Sequence, residues 1–218
     1  MRPPAVTYRL AIFDLDGTLA DTFPWFVSAL DEAATRFRFR RPDEAERDEL
    51  RRCGSREILK RLRVPIWKVP AIARHMRAAK ARAPILLFPQ AEAMLARLSE
   101  AGIALAMVSS DSEANVRATL GSAAAHIRHY ACEASLFGKA AHLRRVAKLS
   151  GIPPAQAIYV GDEVRDAEAA RRVGMAFGAV TWGFAAPEAL RGQAPDAVFD
   201  SMDEIAGLLA PHPSRQLA

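Results

Sequence analysis

The chain has 218 residues, half of them hydrophobic, and a net charge of +5 at pH 7. This length and hydrophobic content predict one α/β domain, or a core with a small insertion. No apolar run approaches the roughly 20 residues that span a bilayer. Met1–Pro4 lacks the apolar segment of a secretory signal, so we expect a cytoplasmic protein that binds no membrane. Cys53 and Cys132 lie far apart and outside any Cys-x-x-Cys pair, as expected of reduced thiols.

The first predicted element is a strand over residues 9–14, which follows a Pro-rich tail at 1–8. The centre of this strand, Leu10–Phe13, is continuously apolar, which is typical of parallel strands covered on both faces. The strand ends in two aspartates, Asp14 and Asp16, and a glycine turn follows them. We therefore expect both carboxylates at the carboxyl end of a buried strand.

Residues 22–84 have helical periodicity throughout, and prolines divide them into several short helices. They carry 16 Lys+Arg and 8 Asp+Glu, a net charge of +8, which leaves −3 for the rest of the chain. The break at Arg52–Arg56 is the one part of this segment without helix character. A basic insert beside an acidic site would attract an anionic substrate. We expect no nucleic-acid partner, because the sequence has no helix-turn-helix, zinc-finger or aromatic-basic pattern.

From residue 85 onward, helix and strand patterns alternate, which predicts a parallel sheet with crossover helices. The expected helices are Pro89–Ala101, Ser112–Leu120, Lys139–Leu149 and 202–210, the expected strands are Ile103–Val108, 157–160, 176–181 and 197–199, and the expected tail is 211–218.

Polar residues suited to phosphate or metal chemistry follow each of the main apolar runs. Ser109 and Ser110 follow the second strand, Asp162 follows the third with Asp166 four residues on, and Lys139 begins a helix between them. Because ligands bind at the carboxyl ends of strands in open α/β sheets, we expect these groups to share one edge. Each match is weak alone, but the ordered set is a strong signal.

The segments Asp14–Thr22, Val108–Ser110 and Tyr159–Ala170, together with Lys139, resemble the haloacid dehalogenase-like hydrolase superfamily and, within it, the phosphoglycolate phosphatase-like branch. The resemblance implies an α/β fold with a Rossmann-like parallel-sheet core and an inserted α-helical cap domain. The expected core is 1–21 with 85–218, and the expected cap is 22–84.

The resemblance implies a Mg²⁺-dependent phosphatase that hydrolyses a small phosphorylated metabolite through an aspartyl-phosphate on Asp14. The implied metal ligands are Asp14, Asp162 and the backbone carbonyl of Asp16, with Asp166 acting directly, through a water or by orienting the site. The Asp16 side chain would serve as general acid and base.

Ser109, Ser110 and Lys139 would bind the phosphate group, by the same resemblance. In similar proteins a loop of the cap reaches the substrate, which makes Arg56 and Arg52 candidates for contact with an anionic group of the leaving portion. The oligomeric state is left open between monomer and homodimer.

Several features leave the substrate and the reaction open. Lys139 is followed by Ala-Ala-His rather than Pro-x-Pro, and Pro89 by Gln90 rather than glycine, which weakens an assignment of phosphoglycolate. A phosphomutase similar to β-phosphoglucomutase is the main alternative, and a catalytically idle binding protein is another. Dehalogenation is disfavoured by Asp16 and by the Asp162/Asp166 pair. Phosphonate cleavage would need a Schiff-base lysine in the cap, for which the cap lysines offer no distinctive context.

The five histidines have no zinc-ligand spacing and are expected to be structural or surface residues: His75, His126, His129, His142 and His212.

Overall fold

The computed structural model describes residues 8–210. Apart from Tyr8, the two expected tails lie outside the described residues. Within them, six strands form a single sheet in the order β3-β2-β1-β4-β5-β6, and every neighbouring pair is parallel. The strands are β1 Leu10–Phe13, β2 Ala104–Val108, β3 His129–Ala131, β4 Ala157–Gly161, β5 Ala176–Val180 and β6 Ala197–Phe199.

Ten α-helices lie in the described range, and the last six of them cover the two faces of the sheet. They are α1 Phe23–Phe37, α2 Glu44–Leu50, α3 Ser55–Arg61, α4 Val69–Lys80, α5 Ala91–Glu100, α6 Glu113–Leu120, α7 Lys139–Ser150, α8 Val164–Val173, α9 Pro187–Arg191 and α10 Met202–Leu209. Short 3₁₀ turns occur at Ile66–Lys68, Gly121–His126 and Pro154–Gln156. Among the helices of residues 8–210, none is long and apolar enough to cross a membrane.

The strand β1 divides the hydrophobic core into two layers. Ala11 and Phe13 face the layer that includes α5 and α10, whereas Leu10 and Ile12 face the layer of α7 and α8. All four side chains are fully buried. Burial on both faces explains why this strand is apolar at consecutive positions rather than at alternate ones.

The helices α1–α4 form an insert, which we define as residues 22–84, between β1 and α5. The chain leaves and re-enters the core at adjacent points, since Asp21 N donates to Leu86 O at 3.0 Å and Phe88 N donates to Leu19 O at 2.8 Å. Because both connections lie just beyond the carboxyl end of β1, the insert is placed over the edge where the sequence predicts the functional side chains. The expected α/β fold with a parallel sheet and a helical insertion is confirmed.

Two short elements were not expected from the sequence. The edge strand β3 has only three residues, of which His129 and Tyr130 are half-buried, so it lacks a long apolar run. The helix α9 has five residues, too few for a periodic pattern. Both are held by their neighbours in the fold, namely by pairing with β2 and by packing against α8.

The packing of α5 against α10 provides a test of the core. Leu95 of α5 is fully buried, whereas Leu208 of α10 is 52% exposed. Replacing Leu95 by alanine should lower the free energy of unfolding by about 2–5 kcal/mol, because it leaves a cavity, and Leu208→Ala should change it by about 0.5 kcal/mol or less. Urea denaturation measures both values. Equal losses in the two variants would contradict the placement of the core.

Candidate active site

Three neighbouring strands bring the expected side chains to one edge of the sheet. The central strand β1 pairs with β2 on one side and β4 on the other, and Phe13 lies opposite both Met107 and Val160. Asp14 therefore emerges beside the strand ends that lead to Ser109 and Asp162. All strands of the sheet are parallel, so their carboxyl ends, and with them all three side chains, lie at the same edge.

Lys139, the first residue of α7, lies between two carboxylates of this edge. It is 2% exposed, and its Nζ donates to Asp14 and to Asp166 Oδ1, the latter at 2.5 Å. The Tyr159 hydroxyl donates to the same oxygen of Asp166 at 3.2 Å. Burial lowers the pKa of Lys139, but the charges of Asp14 and Asp166 outweigh this effect, so the pKa is raised overall. Lys139 is therefore a permanent cation at the centre of the site.

Asp14, Asp162 and Asp166 form a buried acidic cluster. One carboxylate oxygen from each lies within 4.8 Å of the other two. Burial, together with neighbouring carboxylates, raises the pKa of all three residues, most strongly that of Asp162. Buried carboxylates at this spacing repel one another unless a cation lies among them. Because such oxygens are the donors that hard divalent cations prefer, this set fits Mg²⁺.

Asp162 is held in one orientation by two donors. Thr18 Oγ1 donates to its Oδ1 at 2.8 Å, and Phe184 N donates to its Oδ2 at 2.7 Å. Gly17, at φ +73°, and Gly183 both approach so closely that an added Cβ would lie 2.2 Å from an Asp162 atom. Only glycine fits at these two positions, so the turn after β1 and the loop after β5 enclose this carboxylate.

Ser109 and Ser110 follow β2 on the other side of Asp14. Ser109 is fully buried, and its Oγ accepts from Asp111 N at 3.1 Å, which orients the hydroxyl and leaves its proton available to a ligand. Ser110 O accepts from Arg77 of α4 at 3.2 Å. The serine pair therefore lies where the core meets the insert.

Lys80, the last residue of α4, is a component of the site that the sequence did not reveal. Its side chain is 3% exposed, and its Nζ lies 2.5 Å from Asp16 Oδ1 and 2.8 Å from Asp111 Oδ2. Burial lowers the pKa of Lys80, but the two carboxylates outweigh this and raise it overall. The flanking sequence Ala-Ala-Lys-Ala carries no motif, so only the three-dimensional contact assigns it to the site.

The loop before α3 lines the cavity beside the core, whereas Arg56 is not among the residues that line it. Gly54 and Ser55 line the cavity that opens on Asp16. Arg56 itself is exposed and stacks its guanidinium over the Phe137 ring, 5.0 Å from the centroid. A contact between Arg56 and substrate stays a prediction, and the same holds for the exposed Arg52.

Another arginine of this region joins the insert to the core. Arg51 Nε donates to Phe184 O at 3.0 Å, and its Nη2 donates to Gly183 O at 3.2 Å. The rings of Phe23 and Phe26 pack on Phe184, with centroids 5.5 and 5.1 Å away. The loop after β5 thus contacts both the acidic cluster and α1.

Comparison with known proteins agrees with this geometry. The family model of the haloacid dehalogenase-like hydrolases matches residues 11–180. A phosphoglycolate phosphatase of Synechococcus elongatus is 33% identical over 198 residues, which cover 89% of this chain and 93% of that protein. A phosphoglycolate phosphatase of Mesorhizobium japonicum is 28% identical, with 92% and 94% covered.

Solved structures show the same fold. A haloacid dehalogenase-like hydrolase from Streptococcus pneumoniae superposes with a TM-score of 0.74 at 22% identity, covering 91% of this chain and 96% of that one. CbbY from Rhodobacter sphaeroides, solved in complex with phosphate, gives a TM-score of 0.69 at 25% identity, with 91% and 96% covered.

The fold and the site define a hydrolase with its functional groups at the carboxyl edge of a parallel sheet. The chain belongs to the haloacid dehalogenase-like hydrolase family, since the family model covers most of it and a curated relative matches nearly its whole length. The resemblance noted from the motifs is thereby confirmed.

The contact of Lys80 with two carboxylates predicts a large effect on stability. Replacing Lys80 by methionine leaves Asp16 and Asp111 facing each other without a cation, so the free energy of unfolding should fall by about 3 kcal/mol. The matched control is Lys60→Met, at an exposed position of α3, which should be nearly neutral. Urea denaturation compares the two. A loss for Lys80→Met no larger than that of the control would show that the ion pairs contribute little.

Proposed function

We propose that this hydrolase is a Mg²⁺-dependent phosphatase that acts on a small phosphorylated metabolite through a phosphorylated Asp14. The observation that carries the proposal is the buried cluster of Asp14, Asp162 and Asp166 with Lys139 bonded to two of its members. Phosphate esters are anionic and weakly electrophilic, so a catalyst must combine positive charge with an aimed nucleophile. The curated relatives named as phosphoglycolate phosphatases support the same class of reaction.

The residues that would hold the metal are Asp14, Asp162 and the backbone carbonyl of Asp16, with Asp166 contributing directly or through a water. When bound, Mg²⁺ would neutralise charge between the substrate phosphate and the nucleophile. Thr18 and the Phe184 amide fix the Asp162 carboxylate for this task. Lys139 donates to Asp14 and opposes the rise that burial causes in the pKa of this carboxyl group.

The reaction would take place in two balanced steps. In the first, an Asp14 oxygen attacks phosphorus, the ester P–O bond breaks, and Asp16 gives its proton to the leaving alcohol. In the second, Asp16 takes a proton from water, which attacks the aspartyl-phosphate and releases phosphate and free Asp14. Lys80 Nζ, 2.5 Å from Asp16 Oδ1, would hold this carboxyl group in place during both steps.

The phosphate group would be bound by Ser109, Ser110 and Lys139. Ser109 has a hydroxyl proton to donate, and Lys139 supplies charge next to the nucleophile. CbbY, the relative solved with phosphate, supports a phosphate site in this fold.

The insert would act as a cap over this site, with 22–84 as the cap and 1–21 plus 85–218 as the core. Its polar contacts with the core include those of Arg51, Arg77 and Lys80, which lie next to the candidate active site. A lid attached in this way can exclude water and complete the site when it closes.

The role of Asp14 is tested by Asp14→Asn. An amide cannot act as the nucleophile, so phosphate release from an aryl phosphate should fall to the background rate, while circular dichroism shows an unchanged fold. Removal of divalent cations with a chelator should abolish the activity of the wild type, and Mg²⁺ should restore it. The matched control is Asp48→Asn, on the exposed face of α2, which should retain full activity. Full activity of Asp14→Asn, or of the chelated enzyme, would refute the proposal.

The role of Asp16 is tested by its dependence on the leaving group. Asp16→Asn should reduce kcat by a factor on the order of 10² or more for alkyl phosphates, because their alcohols need a proton to leave. The loss in the first step should be much smaller for an aryl phosphate, and phosphorylated enzyme should then accumulate. Rapid-quench measurements detect that species. Equal losses with both substrates and no trapped intermediate would exclude Asp16 as the acid and base.

A further inference from the structure

A cavity of about 510 Å³ lies between the helices of the insert and the carboxyl edge of the sheet. It reaches Asp16, Ser110 and Asp111 at the core and extends among α1, α3 and α4. Its volume falls within the roughly 300–1,000 Å³ range of small-molecule sites. It is therefore continuous with the phosphate site and far larger than a phosphate group requires.

The apolar side chains of the insert face this cavity instead of filling it. Few hydrophobic residues of the insert are buried, and most of these are alanines: Ala29, Ala33, Ala34, Leu50 and Leu62. The large side chains at the centre of α1, α3 and α4 are only half-buried and line the cavity: Phe26, Leu30, Leu59, Ile72 and Met76. Protein interiors are normally close-packed, so an open apolar space of this size is suited to a ligand.

The cationic side chains that line the cavity already have partners. Arg51 and Arg77 donate to backbone carbonyls of the core, and Lys80 pairs with two carboxylates. The remaining two lining arginines are bonded to acidic residues in the same way: Arg47 to Asp31 and Arg165 to Glu163. Three of these five cations are thus paired with carboxylates, and the other two are held at core carbonyls, while the wall among α1, α3 and α4 is mainly apolar.

Two residues that line the cavity carry a buried polar atom without a hydrogen-bond partner among the described residues, namely Thr22 Oγ1 and Arg47 Nε. Thr22 is fully buried. Buried polar groups are normally satisfied. A ligand or water in the cavity would satisfy them.

We propose that the leaving portion of the substrate is an apolar alcohol, alkyl or aryl, bound in this cavity, rather than a small acidic or sugar group. The proposal rests on the proposed function, since it places the ester oxygen at Asp16 and the carbon skeleton among α1, α3 and α4. It differs from the expectation that Arg56 binds an anionic leaving group.

A series of n-alkyl phosphates tests the proposal with the wild-type enzyme. Their leaving alcohols have similar acidity, so kcat/KM should reflect binding of the chain. From ethyl to hexyl phosphate, kcat/KM should rise about two- to fourfold per methylene, because each methylene leaves water for the cavity. The matched compound 5-carboxypentyl phosphate, which has an anionic end, should be at least about tenfold poorer than hexyl phosphate.

Two variants of α4 locate the effect. Ala73 lines the cavity, whereas Ala78 is exposed on the same helix. Ala73→Trp should reduce the ratio of kcat/KM for hexyl over ethyl phosphate at least about tenfold, since the indole occupies space that the chain requires. Ala78→Trp, the same substitution outside the cavity, should leave the ratio unchanged. Circular dichroism checks that both variants fold. If Ala73→Trp does not fold, the chain-length series of the wild-type enzyme tests the proposal by itself.

The outcomes separate this inference from the proposed function. If no phosphate ester is hydrolysed, the proposed function fails. If the esters are hydrolysed but kcat/KM is flat or falls with chain length, or the carboxylated ester is preferred, the enzyme is a phosphatase and the apolar leaving group is refuted. A rising series that Ala73→Trp abolishes supports the proposal.

Discussion

The feature on which the structure depends most is the concentration of negative charge at the carboxyl edge of the sheet. Asp14, Asp162 and Asp166 are buried within 4.8 Å of one another, where desolvation and mutual repulsion both disfavour the ionised forms. Lys139 offsets part of this charge by bonding two of the three carboxylates. The remaining repulsion among these carboxylates would be relieved by a divalent cation or by protonation of one of them.

This constraint also determines the local backbone. The two segments that enclose the Asp162 carboxylate approach it too closely to leave room for a Cβ atom, which explains glycine at positions 17 and 183. Lys80 offsets negative charge in the same way beside the cluster, since its Nζ lies between the carboxylates of Asp16 and Asp111. Lys139 and Lys80 belong to helices, α7 and α4, so the strand-end carboxylates are stabilised only when these helices are correctly placed.

The sequence predicted the core of the site because its signals are local. A buried strand followed by Asp14 and Asp16, and a later one followed by Asp162, are patterns that survive without tertiary information, and the parallel arrangement then brings them to one edge. The residues that escaped prediction act through long-range contacts. Lys80 is 64 positions from Asp16 in the chain, and nothing beside it in the sequence marks it. Similarly, the helical pattern of 22–84 predicted its helices but not the cavity among them, because periodicity identifies an apolar face and does not say whether protein or ligand covers it.

The open interior of the insert has a consequence for how it is attached to the core. Many of its large side chains line the cavity instead of packing on the core, so attachment depends on the polar contacts of Arg51, Arg77 and Lys80. The rings of α1 on Phe184 add an apolar contact. Hydrogen bonds to backbone carbonyls exchange with water at a small net cost when they separate, which would suit the proposed cap. A ligand that fills the cavity would add apolar contacts to both the insert and the core. Closure and substrate binding would then stabilise each other, and the group that fills the cavity would also be the group that completes the active site.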